Sequence, residues 1–132
     1  MIHVPGKLFS VNSATTTKIP RLFARNERVI ALFDTSIGPM AVIMVGAMIV
    51  ASIETVWGGQ ITPVKNRVQT IHYGDNQSTI TLKTGGEMGR FMLGSTAIVL
   101  FPKNSIAWNE SLSAKSSVVM GQPLGTVNLV PK

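Results

Sequence analysis

Pro39 to Ile53 is the most apolar stretch of the chain, held between Asp34 and Glu54 with no charged residue inside it. A membrane-spanning helix needs about 20 apolar residues, and this run has 15. It also carries Gly46, which weakens a helix interior. The stretch is therefore read as two strands meeting near Gly46-Ala47. Its side chains are apolar at successive positions, so these strands are expected to be buried on both faces rather than alternating between core and water.

The rest of the chain follows the same logic. Twelve Gly and seven Pro are spread evenly and punctuate short apolar runs, with no linker-like block and no repeat. Such punctuation marks an all-β chain. Arg28–Phe33 is predicted as a strand, closed by a turn over Asp34-Thr-Ser-Ile-Gly38-Pro39. Met40–Val45 and Met48–Val56 follow as strands. Val68–Tyr73 and Ser78–Lys83 are predicted to pair as a hairpin around Gly74-Asp75-Asn76, residues that tolerate positive φ. Ser95–Phe101 is a further strand, ended by Pro102. Helix is confined to a turn or two at Pro20–Arg25 and Asn109–Ala114. The predicted fold is mainly β, a compact barrel or sandwich of short antiparallel strands in one domain of 132 residues.

Composition narrows the chemistry. Without cysteine the chain has no disulfide, thiolate metal site or cysteine nucleophile. Its first residues, Met1-Ile-His-Val-Pro-Gly-Lys, lack the charged start and apolar core of a signal peptide. A net charge of +6 favours anionic partners. Lys18, Arg21, Arg25 and Arg28 fall close together, read first as a solvated face and second as an anion-facing patch. Aromatics are few and do not interleave with basic residues, which argues against nucleic acid.

His3 and His72 have no spaced carboxylate or cysteine nearby and are read as surface or strand-face residues. Glu27 is assigned a capping or ion-pair role. Trp57 and Trp108 are read as core or groove anchors. No nucleotide loop, zinc spacing or Gly-x-Ser-x-Gly elbow occurs.

Gly85-Gly86-Glu87-Met88-Gly89-Arg90-Phe91-Met92-Leu93-Gly94-Ser95-Thr96 is more informative. At its plainest it is a Gly-rich turn leading into a strand. Gly94-Ser95 also has a chemical option. A serine hydroxyl can attack the preceding carbonyl and turn the amide into an ester. β-Elimination then cuts the chain and leaves dehydroalanine, which hydrolyses to a pyruvoyl group. Glycine before the serine permits the unusual backbone this attack needs.

The run Glu87–Thr96 resembles the self-cleavage site of bacterial pyruvoyl-dependent phosphatidylserine decarboxylases, whose Leu-Gly-Ser-Thr motif it reproduces. Val4-Pro5-Gly6-Lys7-Leu8-Phe9-Ser10-Val11-Asn12 is similar to the family segment that follows its catalytic histidines. Leu22–Val29, Val45-Gly46-Ala47, Ser52–Trp57 and Gly121-Gln122-Pro123-Leu124 also resemble family blocks, in the same order. The resemblance covers nearly the whole chain.

It implies that Ser95 is the pyruvoyl precursor, that Gly94–Ser95 is the bond cut, and that residues 1–94 and 95–132 become parts of the β and α chains. The pyruvoyl ketone would form a Schiff base with phosphatidylserine, lose carbon dioxide and release phosphatidylethanolamine, with no metal or added cofactor. A peripheral place on an anionic membrane, at the cytoplasmic face of the bacterial inner membrane, goes with that substrate. Family members also carry an aspartate and histidines upstream of the segment matched here, and neither His3 nor His72 falls at their positions. The chain is thus similar to the C-terminal half of a proenzyme. It is expected to be inactive without the missing N-terminal half; the alternative is a non-catalytic β module that binds acidic lipid.

Overall fold

The computed structural model describes residues 1–48, 52–61, 67–74, 79–94 and 96–128. Ten strands and two short helices are found among them: β1 (Ile2–Val4), α1 (Ser13–Lys18), α2 (Leu22–Arg25), β2 (Arg28–Thr35), β3 (Gly38–Val45), β4 (Ile53–Thr55), β5 (Gly59–Gln60), β6 (Gln69–Thr70), β7 (Gly89–Phe91), β8 (Thr96–Leu100), β9 (Ile106–Trp108) and β10 (Gly125–Val127). They form a five-stranded sheet in the order β6-β1-β2-β3-β8, a three-stranded sheet β5-β4-β7 and a two-stranded ribbon β10-β9. Every strand pair is antiparallel. The mainly β, sandwich-like architecture is as the sequence predicts, without closing into a barrel.

The β2–β3 hairpin forms the backbone of the large sheet, with eight paired positions from Arg28↔Val45 to Thr35↔Gly38. Its turn works because Gly38 takes φ +104°, a region closed to most side chains. Thr35 Oγ1 donates to the Gly38 carbonyl at 2.6 Å, which closes the loop locally.

Strand alternation sends Val29, Ala31 and Phe33 of β2 to one face and Arg28, Ile30 and Leu32 to the other. Val29 and Met44 face the small sheet and, with Ile53 of β4, make the buried core. Met1, Ala47, Ile61, Met88 and Phe91 pack around them. The expected burial on both faces is only partly met. Met44 and Val45, neighbours that point to opposite faces, are both buried, whereas Met40–Ile43 are half-buried, so cover on both faces is complete only at the end of β3. In the predicted strand Met48–Val56, Ile53–Thr55 forms the strand; residues 49–51 lie outside the described residues and Val56 is exposed.

Three local expectations differ. The segment 68–73 gives only Gln69–Thr70, paired with β1, and residues 79–83 form no strand. Of the predicted turn between them, Asp75 and Asn76 lie outside the described residues. Asn109–Ala114 is a turn rather than a helix: Asn109 Oδ1 accepts from the Ser111 N–H at 3.0 Å, the kind of local bond that competes with helix. Helix forms instead at α1, where Asn12 Oδ1 accepts from the Thr15 N–H at 2.9 Å and Thr15 Oγ1 reaches back to the Asn12 N–H at 3.3 Å. That reciprocal cap offsets the weak helix preference of three consecutive threonines.

A buried asparagine ties the N-terminal segment to the sheet. Asn26 is fully buried. Its Nδ2 donates to the carbonyls of Phe9 (2.8 Å) and Gly46 (2.9 Å), and its Oδ1 accepts from the Phe9 N–H (3.0 Å). Asn26→Ala strands three backbone groups at once. The expected loss is about 3 kcal/mol, since each orphaned buried polar group costs roughly 1–3 kcal/mol. Urea unfolding measures it, and a midpoint unchanged from the parent would show that this tie does not hold the segment.

Candidate functional site

The Gly-rich segment is positioned by the small sheet. β7 pairs with β4 through Ile53↔Phe91, Glu54↔Arg90 and Thr55↔Gly89. The pairing continues past both ends: the Val56 N–H donates to the Met88 carbonyl at 3.1 Å and the Met92 N–H to the Ser52 carbonyl at 3.3 Å. Gly89 is needed for this close approach, because a Cβ there would overlap the Glu54 carbonyl oxygen. Arg90 makes an exposed ion pair with Glu87 at 2.9 Å, a contact that adds little stability.

Beyond Phe91 the chain leaves the small sheet. Met92, Leu93 and Gly94 are exposed, and Gly94 adopts the left-handed conformation at φ +61°. Thr96 then opens β8, which joins the edge of the large sheet against β3, from Val45↔Thr96 to Ala41↔Leu100. Gly94 thus stands in the crossover between the two sheets. Ser95 lies outside the described residues.

The two histidines separate. His72 is exposed. His3 is on a strand face as expected but is only 2% exposed, with Nε2 2.8 Å from Glu27 Oε1. Of the capping or ion-pair role assigned to Glu27, the structure shows a side-chain pairing with His3, and this carboxylate is buried. His3 Nδ1 is buried without a hydrogen-bond partner among the described residues. The pairing spans 24 residues of sequence, so spacing rules do not reveal it; it follows from the β1–β2 register, His3↔Val29. Glu27→Ala leaves the histidine alone in the core. It should cost about 3 kcal/mol, the penalty typical of a broken buried pair, read as a lower thermal midpoint; an unchanged midpoint would refute it.

The basic cluster also divides. Lys18, Arg21 and Arg25 are exposed, and Arg25 stacks on the Phe9 ring at 4.8 Å. Arg28 is half-buried and its guanidinium donates to the carbonyls of Ala24 (2.7 Å) and Asn26 (3.0 Å). Trp57 meets Phe33 and Tyr73 edge-on at 6.0 and 6.3 Å. Trp108 packs on Phe101 at 5.9 Å and lines an open groove of about 370 Å³ with Leu112, Val118 and Leu124. Among the described residues no cluster of His, Asp and Glu could hold a metal ion, and no helix is long and apolar enough to cross a membrane.

Comparison with known proteins places this geometry. The phosphatidylserine decarboxylase family model matches residues 1–126. The phosphatidylserine decarboxylase proenzyme of Pseudomonas putida is 60% identical over 125 residues, covering 94% of this chain and 44% of that protein. The proenzyme of Ectopseudomonas mendocina is 56% identical over 130 residues, 98% of this chain and 46% of its own length. That of Bordetella avium is 58% identical over 124 residues, 94% and 42% respectively. The chain spans about half the length of the curated relatives it matches, and it belongs to the phosphatidylserine decarboxylase family.

Proposed function

We propose that this chain supplies the self-cleaving segment of a phosphatidylserine decarboxylase, with Ser95 as the pyruvoyl precursor. The observation that carries the reading is Gly94: exposed, left-handed at φ +61° and placed directly ahead of Ser95 within Leu-Gly-Ser-Thr. An L-residue with a Cβ is disfavoured there by about 1–2 kcal/mol, so the backbone suits the group that must form.

Ser95 Oγ attacks the Gly94 carbonyl carbon and the peptide nitrogen departs, giving an ester. Loss of the Cα proton of residue 95 breaks its Cβ–O bond. This frees the Gly94 carboxylate at the end of residues 1–94 and leaves dehydroalanine at the head of residues 95–132. Water then releases ammonia and leaves the pyruvoyl group. Once formed, the group supplies a ketone that takes up the electron pair freed when the substrate carboxylate leaves as carbon dioxide. β8 begins directly after it at Thr96 and pairs with β3, and the exposed residues Met92, Leu93 and Gly94 ahead of it are where this reading puts the substrate headgroup.

The serine hydroxyl is a weak nucleophile at neutral pH and needs a base. The family resemblance assigns that base to the N-terminal half of the proenzyme, which makes that half a required partner. The substrate is phosphatidylserine, met at an anionic membrane surface on the cytoplasmic face, where the charge of +6 favours residence.

The test joins this chain to the remaining part of the Pseudomonas putida proenzyme. The expected product carries a fragment beginning at residue 95 that gains one oxime on treatment with hydroxylamine, and releases carbon dioxide from phosphatidylserine vesicles. A fragment with a free amino terminus and no reaction would sink the proposal.

A further inference from the structure

One face of the large sheet is covered at one end, where Val45 is fully buried, and open at the other, where Leu32 and Leu100 are exposed. Its register aligns Ile2↔Ile30, Ile30↔Ile43 and Ile43↔Ile98, so four isoleucines form one row across four strands. The next row holds Leu32, Ala41 and Leu100; Leu32 is 61% and Leu100 54% exposed. On the other side stands Val4-Arg28-Val45-Thr96. Directly opposed residues share a face, and these rows, two residues apart, share the same one. It is the face turned away from Val29, Met44 and Ile53.

Three spacings of about 4.8 Å make the isoleucine row about 14 Å wide; its isoleucines are half-buried, and Leu32 and Leu100 beside them are exposed. Contiguous exposed apolar surface of this kind is often functional. Strands apolar at successive positions belong to sheets covered on both faces, and β2 and β3 have that pattern while Leu32 and Leu100 on this face stay exposed among the described residues.

We infer that this face is the seat of the polypeptide that makes up the other half of the proenzyme. The relatives carry more than half of their length outside the matched region, enough to cover a sheet. The charges disfavour a lipid surface. The face has Arg28 at one end, already committed to two carbonyls, and Asp34, paired with Pro39, at the other. A membrane-docking patch is instead ringed by free cations. The inference rests on membership in the family but not on the chemistry of Ser95, and it is read by contact rather than by turnover.

The experiment uses this chain joined to the remaining part of the Pseudomonas putida proenzyme. A photoreactive benzoylphenylalanine replaces Leu32 or, separately, Leu100, both exposed enough to accept it. Irradiation in the presence of phosphatidylglycerol vesicles should give crosslinks to residues of the joined part, mapped by peptide mass spectrometry. Crosslinks to a second copy, to lipid or to nothing would each overturn the inference. When the two halves are instead co-expressed as separate chains, Leu32→Lys with Leu100→Lys should weaken their association at least tenfold. Val119→Lys, 73% exposed and on none of the strands of this sheet, should leave it unchanged. Equal retention by all three proteins would refute the assignment even if cleavage proceeds.

Discussion

Ser95→Ala is expected to abolish all conversion of the chain into residues 1–94 and 95–132, because no other atom at that position can take over the peptide carbonyl. The 132-residue chain alone should also stay intact, since the resemblance assigns the aspartate and histidine of this step to the other half of the proenzyme, and neither His3, buried against Glu27, nor His72 falls at their positions. Joining the remaining part of a relative should start the reaction in the parent and not in Ser95→Ala. Gly94→Val probes the backbone requirement separately. A β-branched residue at φ +61° costs about 1–2 kcal/mol or more, and at 1.36 kcal/mol per decade of rate cleavage should slow about tenfold. Intact-mass spectrometry reads all of these. Rapid cleavage of the isolated chain would mean that a group within it serves as base, and His72→Ala would then be the variant to make.

Met44→Asp is the second large effect. Met44 is 4% exposed and packs with Val29 and Ile53 at the centre of the core. An aspartate there has no cation among the described core residues to pair with, so its burial should cost about 4 kcal/mol or more. A chain of this size loses about 4 °C of thermal midpoint per kcal/mol, so melting should fall by about 15 °C or the protein should fail to fold. Met44→Leu, which keeps the volume, should cost under about 1.5 kcal/mol. A midpoint within about 2 °C of the parent for Met44→Asp would mean that the β2–β3–β4 cluster is not the stabilising core.

The β2–β3 hairpin was legible because every signal for it is local: apolar runs on both sides of Asp34–Pro39, within which the chain turns at Ser36-Ile37 between Thr35 and Gly38. β8 was legible for the same reason, with Gly94 before it and Pro102 after. The partners of short strands were not. Gln69–Thr70 carries no periodicity and becomes a strand only because β1 lies beside it. The His3–Glu27 pair is likewise a product of register, invisible until β1 and β2 are aligned. α1 had a readable cap in Asn12 and Thr15, masked by the weak propensity of Thr15-Thr16-Thr17. The candidate cleavage site was found through its chemistry and its family motif; composition alone gives only a Gly-rich turn.

The crossover at Met92–Gly94 also dictates a sequence of events in time. A cut there leaves β7 in one sheet and β8 in another, with β8 still zipped to β3 over five paired positions. Under the proposed cut, these five paired positions would hold the two products as one particle without a covalent link. Before the cut, refolding from urea is unimolecular and its rate ignores dilution; after it, the same topology has to be reached by collision of two polypeptides, so the rate falls in proportion to concentration. The proposed scission would thus turn a one-chain folding problem into a two-chain assembly, which favours a chain that folds first and is cut afterwards.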